Sequence, residues 1–100
     1  MRKELFYRHI YRDGEHSVKA EYGNKKDIDN ITVFIWCDGR CGYMVTEKTT
    51  GLDVGVYAHT IQEAIEKTKQ RIADIKSILE YKITKENVRI FNDLLNTIRK

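Results

Sequence analysis

Residues 31–48 have the sequence ITVFIWCDGRCGYMVTEK, and this stretch decides the class of fold. Its first part, 31–37, consists almost entirely of β-branched and aromatic residues, which is the composition of a β-strand. The pair Asp38-Gly39 follows, and such pairs are favoured in tight hairpin turns. Residues 41–48 again favour a strand. The stretch therefore predicts a β-hairpin, with a further short strand at 54–58.

A second hairpin is predicted at the N-terminal end. Residues 4–12 (ELFYRHIYR) are rich in aromatic residues and end at Asp13-Gly14, another favoured turn pair. Residues 17–22 alternate between apolar and polar side chains, as a strand with one buried face does. The alternative is a helix over 2–11, whose apolar residues also recur at helical spacing. The polar stretch 23–30 (GNKKDIDN) predicts a loop.

After residue 58 the pattern becomes helical. Thr60-Ile61-Gln62-Glu63 has the form of a capping box, so a helix is predicted over 60–81. A second helix is predicted from Thr84, with Ile83 and Val88 placed to form a hydrophobic staple. The core stripe at helical spacing consists of Ile61, Ile65, Thr68, Ile72, Ile75 and Leu79 in the first helix and of Val88, Phe91, Leu94, Leu95 and Ile98 in the second.

Strands followed by helices predict a single α+β domain over residues 1–100. Its expected form is an antiparallel sheet of about five strands followed by two C-terminal helices packed on one face. A chain of 100 residues with 41% hydrophobic residues has enough apolar material for one domain. The formal net charge is +3, and the charges alternate in sign along the chain. No apolar run has the length of a signal peptide or a membrane span, so the predicted location is cytoplasmic, away from membranes.

No catalytic or metal-binding pattern stands out. Cys37 and Cys41 flank the predicted turn, where they could form a disulfide or provide two metal ligands, but a zinc site normally needs four. His9, His16 and His59 form no spaced pair, and no phosphate-binding glycine loop occurs. We therefore predict no enzyme, no cofactor, no metal and structural thiols. A small enzyme or metal protein using Cys37, Cys41 and His59 is the weaker alternative.

The aromatic residues carry most of the functional information. Eight of them lie in the predicted strands: Phe6, Tyr7, Tyr11, Tyr22, Phe34, Trp36, Tyr43 and Tyr57. Two helices can cover only one face of a sheet, so the other face should expose aromatic residues, bind a partner or pair with a second copy. Phe34 and Trp36 lie opposite Ile31, Val33 and Ile35, and either set could form the core. The predicted interaction residues are Tyr7, Arg8, Tyr11, Arg12, Phe34, Trp36, Arg40 and Tyr43.

Residues 31–75 resemble the HicB family of antitoxins, beginning ITVFIWCDGRCGYMVTEKTTGLDVGVYAHTIQEAIEKTKQRI. The closest matches are the strand Tyr43-Met44-Val45 and the helix entry Thr60-Ile61-Gln62-Glu63-Ala64-Ile65, which is similar to that family's G-x-T-x-E-E-A. Residues 49–53 replace the family's PDLPGC loop, and no DNA-binding tail follows the long helix. The resemblance implies a toxin-neutralising protein that acts by surface complementarity.

These observations predict a small non-enzymatic protein-binding regulator or inhibitor, either antitoxin-like or a phage-type inhibitor of a host defence system. Its expected partner is another protein, such as a toxin, a nuclease or a defence effector. We also predict a homodimer formed through 31–37 and the N-terminal hairpin, with Tyr7, Tyr11 and Trp36 as anchors. The alternative is a nucleic-acid-associated module that uses the basic hairpin residues Arg8, Arg12, Lys25, Lys26 and Arg40.

Overall fold

The computed structural model describes residues 3–37, 39, 42–82 and 84–98, and gives side chains for all of these except 74–82. It confirms the predicted α+β fold, with a five-stranded antiparallel sheet followed by two helices. The sheet order is the chain order, and each strand pairs with the next. The elements are Lys3–Arg12 (β1), Glu15–Ile28 (β2), Ile31–Cys37 (β3), Tyr43–Glu47 (β4), Asp53–Ala58 (β5), Ile61–Lys82 (α1) and Lys85–Ile98 (α2).

The first two hairpin turns both use left-handed backbone conformations. Asp13 and Gly14 have φ angles of 54° and 79°, and Asp29 and Asn30 have φ angles of 49° and 68°. Two successive positive φ angles are what a two-residue type I′ turn requires. The first turn was predicted, and the helix alternative for 2–11 is wrong. The loop predicted at 23–30 is also wrong, because β2 continues to Ile28 and pairs with β3 before the chain turns.

β2 changes partner from β1 to β3 at Asn24, and the contacts described below place a bend of the sheet at the neighbouring Gly23. The bend folds the β1–β2 hairpin over the rest of the sheet. Phe6 of β1 stacks on Phe34 of β3 with ring centroids 4.5 Å apart, although β2 lies between these two strands in the sheet. A Cβ atom at Gly23 would lie 2.8 Å from the Ile35 carbonyl oxygen and 2.9 Å from the Phe6 ring. Only a glycine fits this close approach without displacing a neighbour.

The free edge of β1 then meets the turn that follows β4. The backbone N–H of His9 donates to the Gly51 carbonyl at 2.8 Å. This turn is held by the buried carboxylate of Glu47, which accepts hydrogen bonds from the backbone amides and the hydroxyls of Thr49 and Thr50, at 2.5–2.9 Å. Phe91 of α2 packs over the same junction, against His9 and Gly51. The turn, β1 and α2 are therefore fixed to one another.

Both faces of β3 are buried, each in its own core. Val33 and Ile35 belong to the larger core, which α1 covers. Phe34 and Trp36 form the second core with Phe6, and Met44 packs against it. The indole N–H of Trp36 donates to the Thr46 hydroxyl at 3.0 Å, which satisfies the one polar atom of that ring. Among the described residues, the larger core consists of Ile28, Val33, Ile35, Val45, Val54, Val56, Ala58, Ala64, Ile65 and Ile72.

Both helices begin at the predicted caps. The Thr60 hydroxyl accepts from the Glu63 amide at 3.0 Å, and the Glu63 carboxylate accepts from the backbone N–H of His59, one residue before the cap. This hydrogen bond from His59 is the main reason that the pKa of Glu63 lies below its usual value. The Thr84 hydroxyl accepts from the Asn87 amide at 3.2 Å. No helix in the described part of the chain has the length and apolarity needed to cross a membrane.

The predicted apolar stripes are covered unequally. Ile65 and Ile72 of α1 are buried, as predicted, and so is Phe91 of α2. Leu94 is only half-buried, and Ile98 is 49% exposed. The side chains of 74–82, which include the predicted core residues Ile75 and Leu79, and the staple residue Ile83 lie outside the described residues. The core is therefore confirmed for α1 up to residue 72, whereas in α2 only Phe91 is fully buried, Val88, Leu94 and Leu95 are half-buried, and Ile98 is exposed.

Candidate interaction surface

Three of the predicted interaction residues make contacts inside the protein. Phe34 and Trp36 are only 5% and 7% exposed, so the expectation that one face of β3 is uncovered is wrong. The Arg8 guanidinium lies 4.1 Å from the centre of the Trp36 ring, and its Nη1 atom is 3.4 Å from Glu21 Oε1. Since β3 also has neighbours on both edges, Trp36 is not accessible as an anchor for a second chain.

The other predicted residues are more accessible. Tyr11 is 64% exposed, with its ring 4.6 Å from that of His16. Tyr7 is half-buried, and Tyr43 is half-buried against the larger core. Arg12 is exposed, and Arg40 lies outside the described residues. These side chains do not form one continuous surface with Phe34 and Trp36, so the predicted set is divided between core and periphery.

The basic residues of the first hairpin border a hollow of about 510 Å³ near its tip. Acidic residues border it as well, so the charge is mixed, whereas nucleic-acid sites are typically basic throughout. The nucleic-acid alternative stays a prediction. The lining residues are Arg8, Ile10, Arg12, Asp13, Glu15, Ser17 and Lys19.

A groove of about 430 Å³ lies between β1 and α2. No sequence pattern indicated it directly. Its lining is almost entirely apolar, with one charged side chain, that of Lys48. No carboxylate among the described residues pairs with the Lys48 ammonium group. The lining residues are Leu5, Phe6, Tyr7, Phe34, Lys48, Phe91 and Leu95.

Exposed apolar side chains continue from this groove. Leu5 and Tyr22 are directly opposite each other on β1 and β2, and they are 48% and 65% exposed. Leu95 lines the groove from α2, where it is half-buried. We call the groove together with Leu5, Tyr7, Tyr22 and Leu95 the β1–α2 surface. Only Tyr7 of these four was among the predicted residues. Leu95 was missed because a helical stripe alone does not show which of its members stay uncovered.

A pair of histidines adjoins this surface. His9 Nε2 and His16 Nδ1 are 2.8 Å apart, and the His9 ring stacks against Phe91 with centroids 6.1 Å apart. Burial is the main cause that lowers the pKa of His9, the neighbouring His16 adds to it, and the Thr50 carbonyl acts in the opposite direction. No sequence motif paired these histidines. The two-residue turn at Asp13-Gly14 sets the register of β1 and β2, and this register places His9 and His16 side by side. The turn was therefore the sequence feature from which their pairing could have been predicted.

The residues of the enzyme or metal alternative are not brought together in the described part of the chain. Cys37 is an exposed free thiol at the end of β3, and Cys41 lies outside the described residues. His59 is exposed before α1, edge-on to Tyr57 at 5.9 Å. Among the described residues, no group of three or more His, Cys, Asp or Glu side chains could hold a metal ion.

No protein-family model matches this chain, and no curated protein or solved structure is significantly similar to it. The resemblance to HicB antitoxins therefore remains a prediction that depends on the residues quoted for it.

Proposed function

We propose that this protein is a small non-enzymatic regulator or inhibitor that binds another protein through the β1–α2 surface. The observation that supports this most is the exposure of α2. It carries a regular apolar stripe, yet only Phe91 is buried, while Leu95 is half-buried and Ile98 is 49% exposed. An amphipathic helix gains most of its stability by covering its apolar face. A stripe that is only partly covered, and whose Leu95 lines the groove together with Leu5, suits a protein partner.

The composition of the surface supports protein recognition over catalysis. Tyrosine and large aliphatic side chains provide much contact area for a small loss of conformational entropy, and they are frequent in protein interfaces. The groove contains one charged side chain, whereas a catalytic cleft usually brings several polar groups together. A toxin, a nuclease or a defence effector in the cytoplasm is the kind of partner that we propose.

Site-specific crosslinking in the organism of origin tests this proposal. A photoreactive amino acid replaces Tyr22 in one variant and Lys69 in a control, because Lys69 is also exposed but lies on α1. We expect one protein to be captured from position 22 and not from position 69. The purified partner should then bind the Tyr22→Lys variant about tenfold more weakly or worse, since interface tyrosines often contribute more than about 1 kcal/mol.

Two outcomes would contradict the proposal. Equal capture from both positions would show non-specific contact. Capture of a nucleic acid whose affinity for the protein falls steeply as the salt concentration rises would favour the nucleic-acid alternative, because phosphate contacts release counterions.

A further inference from the structure

The two outer strands of the sheet differ in how their free edges are protected. At β5, the Lys67 ammonium donates to the Tyr57 carbonyl at 3.0 Å, and Arg71 Nε donates to the Val54 carbonyl at 3.2 Å. Side chains of α1 thus satisfy backbone groups that an added strand would need. Natural sheets protect their edges against unwanted pairing in such ways.

Among the described residues, the edge of β1 receives a backbone hydrogen bond at His9 only. The His9 N–H points away from β2, because it donates to Gly51. Backbone groups alternate in direction along a strand, so the N–H and C=O groups of Leu5 and Tyr7 point the same way as those of His9. Among the described residues, no backbone hydrogen bond reaches Leu5 or Tyr7 from that side. The edge is therefore open at these two residues.

This open edge borders the groove of the β1–α2 surface. Leu5 and Tyr7 line it from β1, and Phe91 and Leu95 line it from α2. Neighbouring strands lie about 4.8 Å apart, so an extended segment paired with β1 would run within the groove. A single extended segment needs only this one edge, and the Lys48 side chain at the groove suits a segment that carries an acidic residue.

Resting on the proposed function, we propose that the partner protein adds an extended segment to β1 at Leu5 and Tyr7, with apolar side chains in the groove and a carboxylate towards Lys48. The two open residues offer two N–H donors and two C=O acceptors to the segment. Main-chain bonds of this kind hold the added strand, and side-chain pockets give the specificity. The ammonium group of Lys48, which pairs with no carboxylate among the described residues, selects an acidic residue.

A library of random peptides of about 12 residues, displayed on phage and selected on the wild-type protein, provides the probe. We expect enriched peptides with apolar residues two positions apart and an Asp or Glu beside them. Resynthesised peptides are then titrated against the wild type, Lys48→Glu and the control Lys69→Glu. Both substituted lysines are exposed, so both variants should fold as the wild type does, which urea unfolding checks. Binding should weaken about tenfold or more in Lys48→Glu alone.

Two further measurements separate strand addition from simple apolar contact. Selection on Lys48→Glu should replace the acidic residue of the peptides by Lys or Arg. N-methylation of the peptide backbone should abolish binding at alternate positions and be tolerated at the positions between them, because only every second N–H faces β1. Peptides that bind Lys48→Glu as well as the wild type, or that show no alternation on N-methylation, would overturn the inference.

Failure of this inference can be told apart from failure of the proposed function. If a protein is captured through position 22 and binds the Lys48→Glu variant as tightly as the wild type, the proposed binding function stands and the strand-addition inference is wrong. Groove-binding peptides without any captured protein would support strand addition and count against the proposed regulator. Sedimentation of the wild type gives the remaining outcome. A dimer at micromolar concentration that Lys48→Glu dissociates would mean that a second copy occupies the groove, and the inference would be wrong.

Discussion

Replacing Gly23 by alanine tests the bend on which this fold depends. The added methyl group would lie 2.8 Å from the Ile35 carbonyl oxygen and 2.9 Å from a ring carbon of Phe6. Phe6 can move slightly, but the Ile35 carbonyl belongs to the central strand β3 and cannot move alone. In a flat sheet the same substitution would add a harmless methyl group, and it would even restrict the unfolded chain. The bend therefore reverses the expected sign.

The size of the effect follows from two opposing contributions. Overpacking typically destabilises a protein by about 1–3 kcal/mol. The smaller conformational freedom of alanine in the unfolded chain offsets about 0.4–1 kcal/mol of this. We expect Gly23→Ala to lower the free energy of unfolding by about 1–2 kcal/mol, which for a domain of this size corresponds to a fall in Tm of roughly 4–8 °C for each kcal/mol.

Urea unfolding followed by tryptophan fluorescence measures this directly, because Trp36 is the single tryptophan and is buried in the second core. Phe6→Ala removes one of the two obstructing groups, so Gly23→Ala should cost less in that background, with a coupling of at least about 0.5 kcal/mol. Gly14→Ala is the control: its Cβ would meet nothing within 4 Å, and its cost comes from a φ of 79°, independently of Phe6. Unchanged stability in Gly23→Ala, or no coupling with Phe6, would refute the bend.

Three other perturbations test the core, the β4–β5 turn and the histidine pair by urea unfolding. Ile72→Ala should cost about 2–5 kcal/mol, because that side chain is 2% exposed in the larger core, and a loss below about 0.5 kcal/mol would contradict its assignment. Glu47→Gln should cost about 1–3 kcal/mol, since an amide cannot accept all the hydrogen bonds that the buried carboxylate accepts, while Glu66→Gln on the exposed face of α1 should change little. Because the pKa of His9 is lowered in the folded protein, the unfolded chain binds more protons than the folded one below about pH 6.5. The free energy of unfolding should therefore decrease as the pH drops from 6.5 through the pKa of folded His9. The His9→Gln variant should show a flatter dependence of stability on pH in this range.

Local patterns predicted the elements whose cause is local. Asp13-Gly14 forms the expected turn because the two residues tolerate positive φ angles, whatever surrounds them. Thr60 and Thr84 form the expected caps because each hydroxyl satisfies an amide of its own helix. The strand 31–37 was predicted from its β-branched and aromatic composition, which suits a strand buried on both faces.

The polar segment before β3 shows where local patterns fail. Gly23-Asn24 and the two following lysines are typical of a loop, yet they continue β2. Lys25, Lys26 and Asp27 keep their side chains in solvent, while their backbone pairs with β3. The pairing requirement of a long neighbouring strand decides the structure of this segment, and no property of the segment itself reveals it.

The excess of aromatic residues had a different explanation from the one the sequence suggested. The expectation that one set of aromatic residues stays exposed holds for a flat sheet, because two helices can cover only one of its faces. The bend at Gly23 closes the other face on itself, so Phe6 covers Phe34, and Arg8 covers Trp36. Such contacts join residues far apart in the chain, and periodicity within one strand contains no information about them.

The same bend produces both the second core and the groove, which limits how the binding proposal can be tested. At His9, the edge of β1 is hydrogen-bonded to Gly51 in the turn after β4. At Leu5 and Tyr7 the edge of β1 has no such bond among the described residues, and the groove lies there. A substitution at Phe6 would disturb core and groove together, so a loss of binding there could not be distinguished from a loss of folding. Tyr22 and Lys48 have side chains that project into solvent, and substituting them leaves both cores intact. Weaker binding in these variants, at unchanged stability, therefore measures recognition itself.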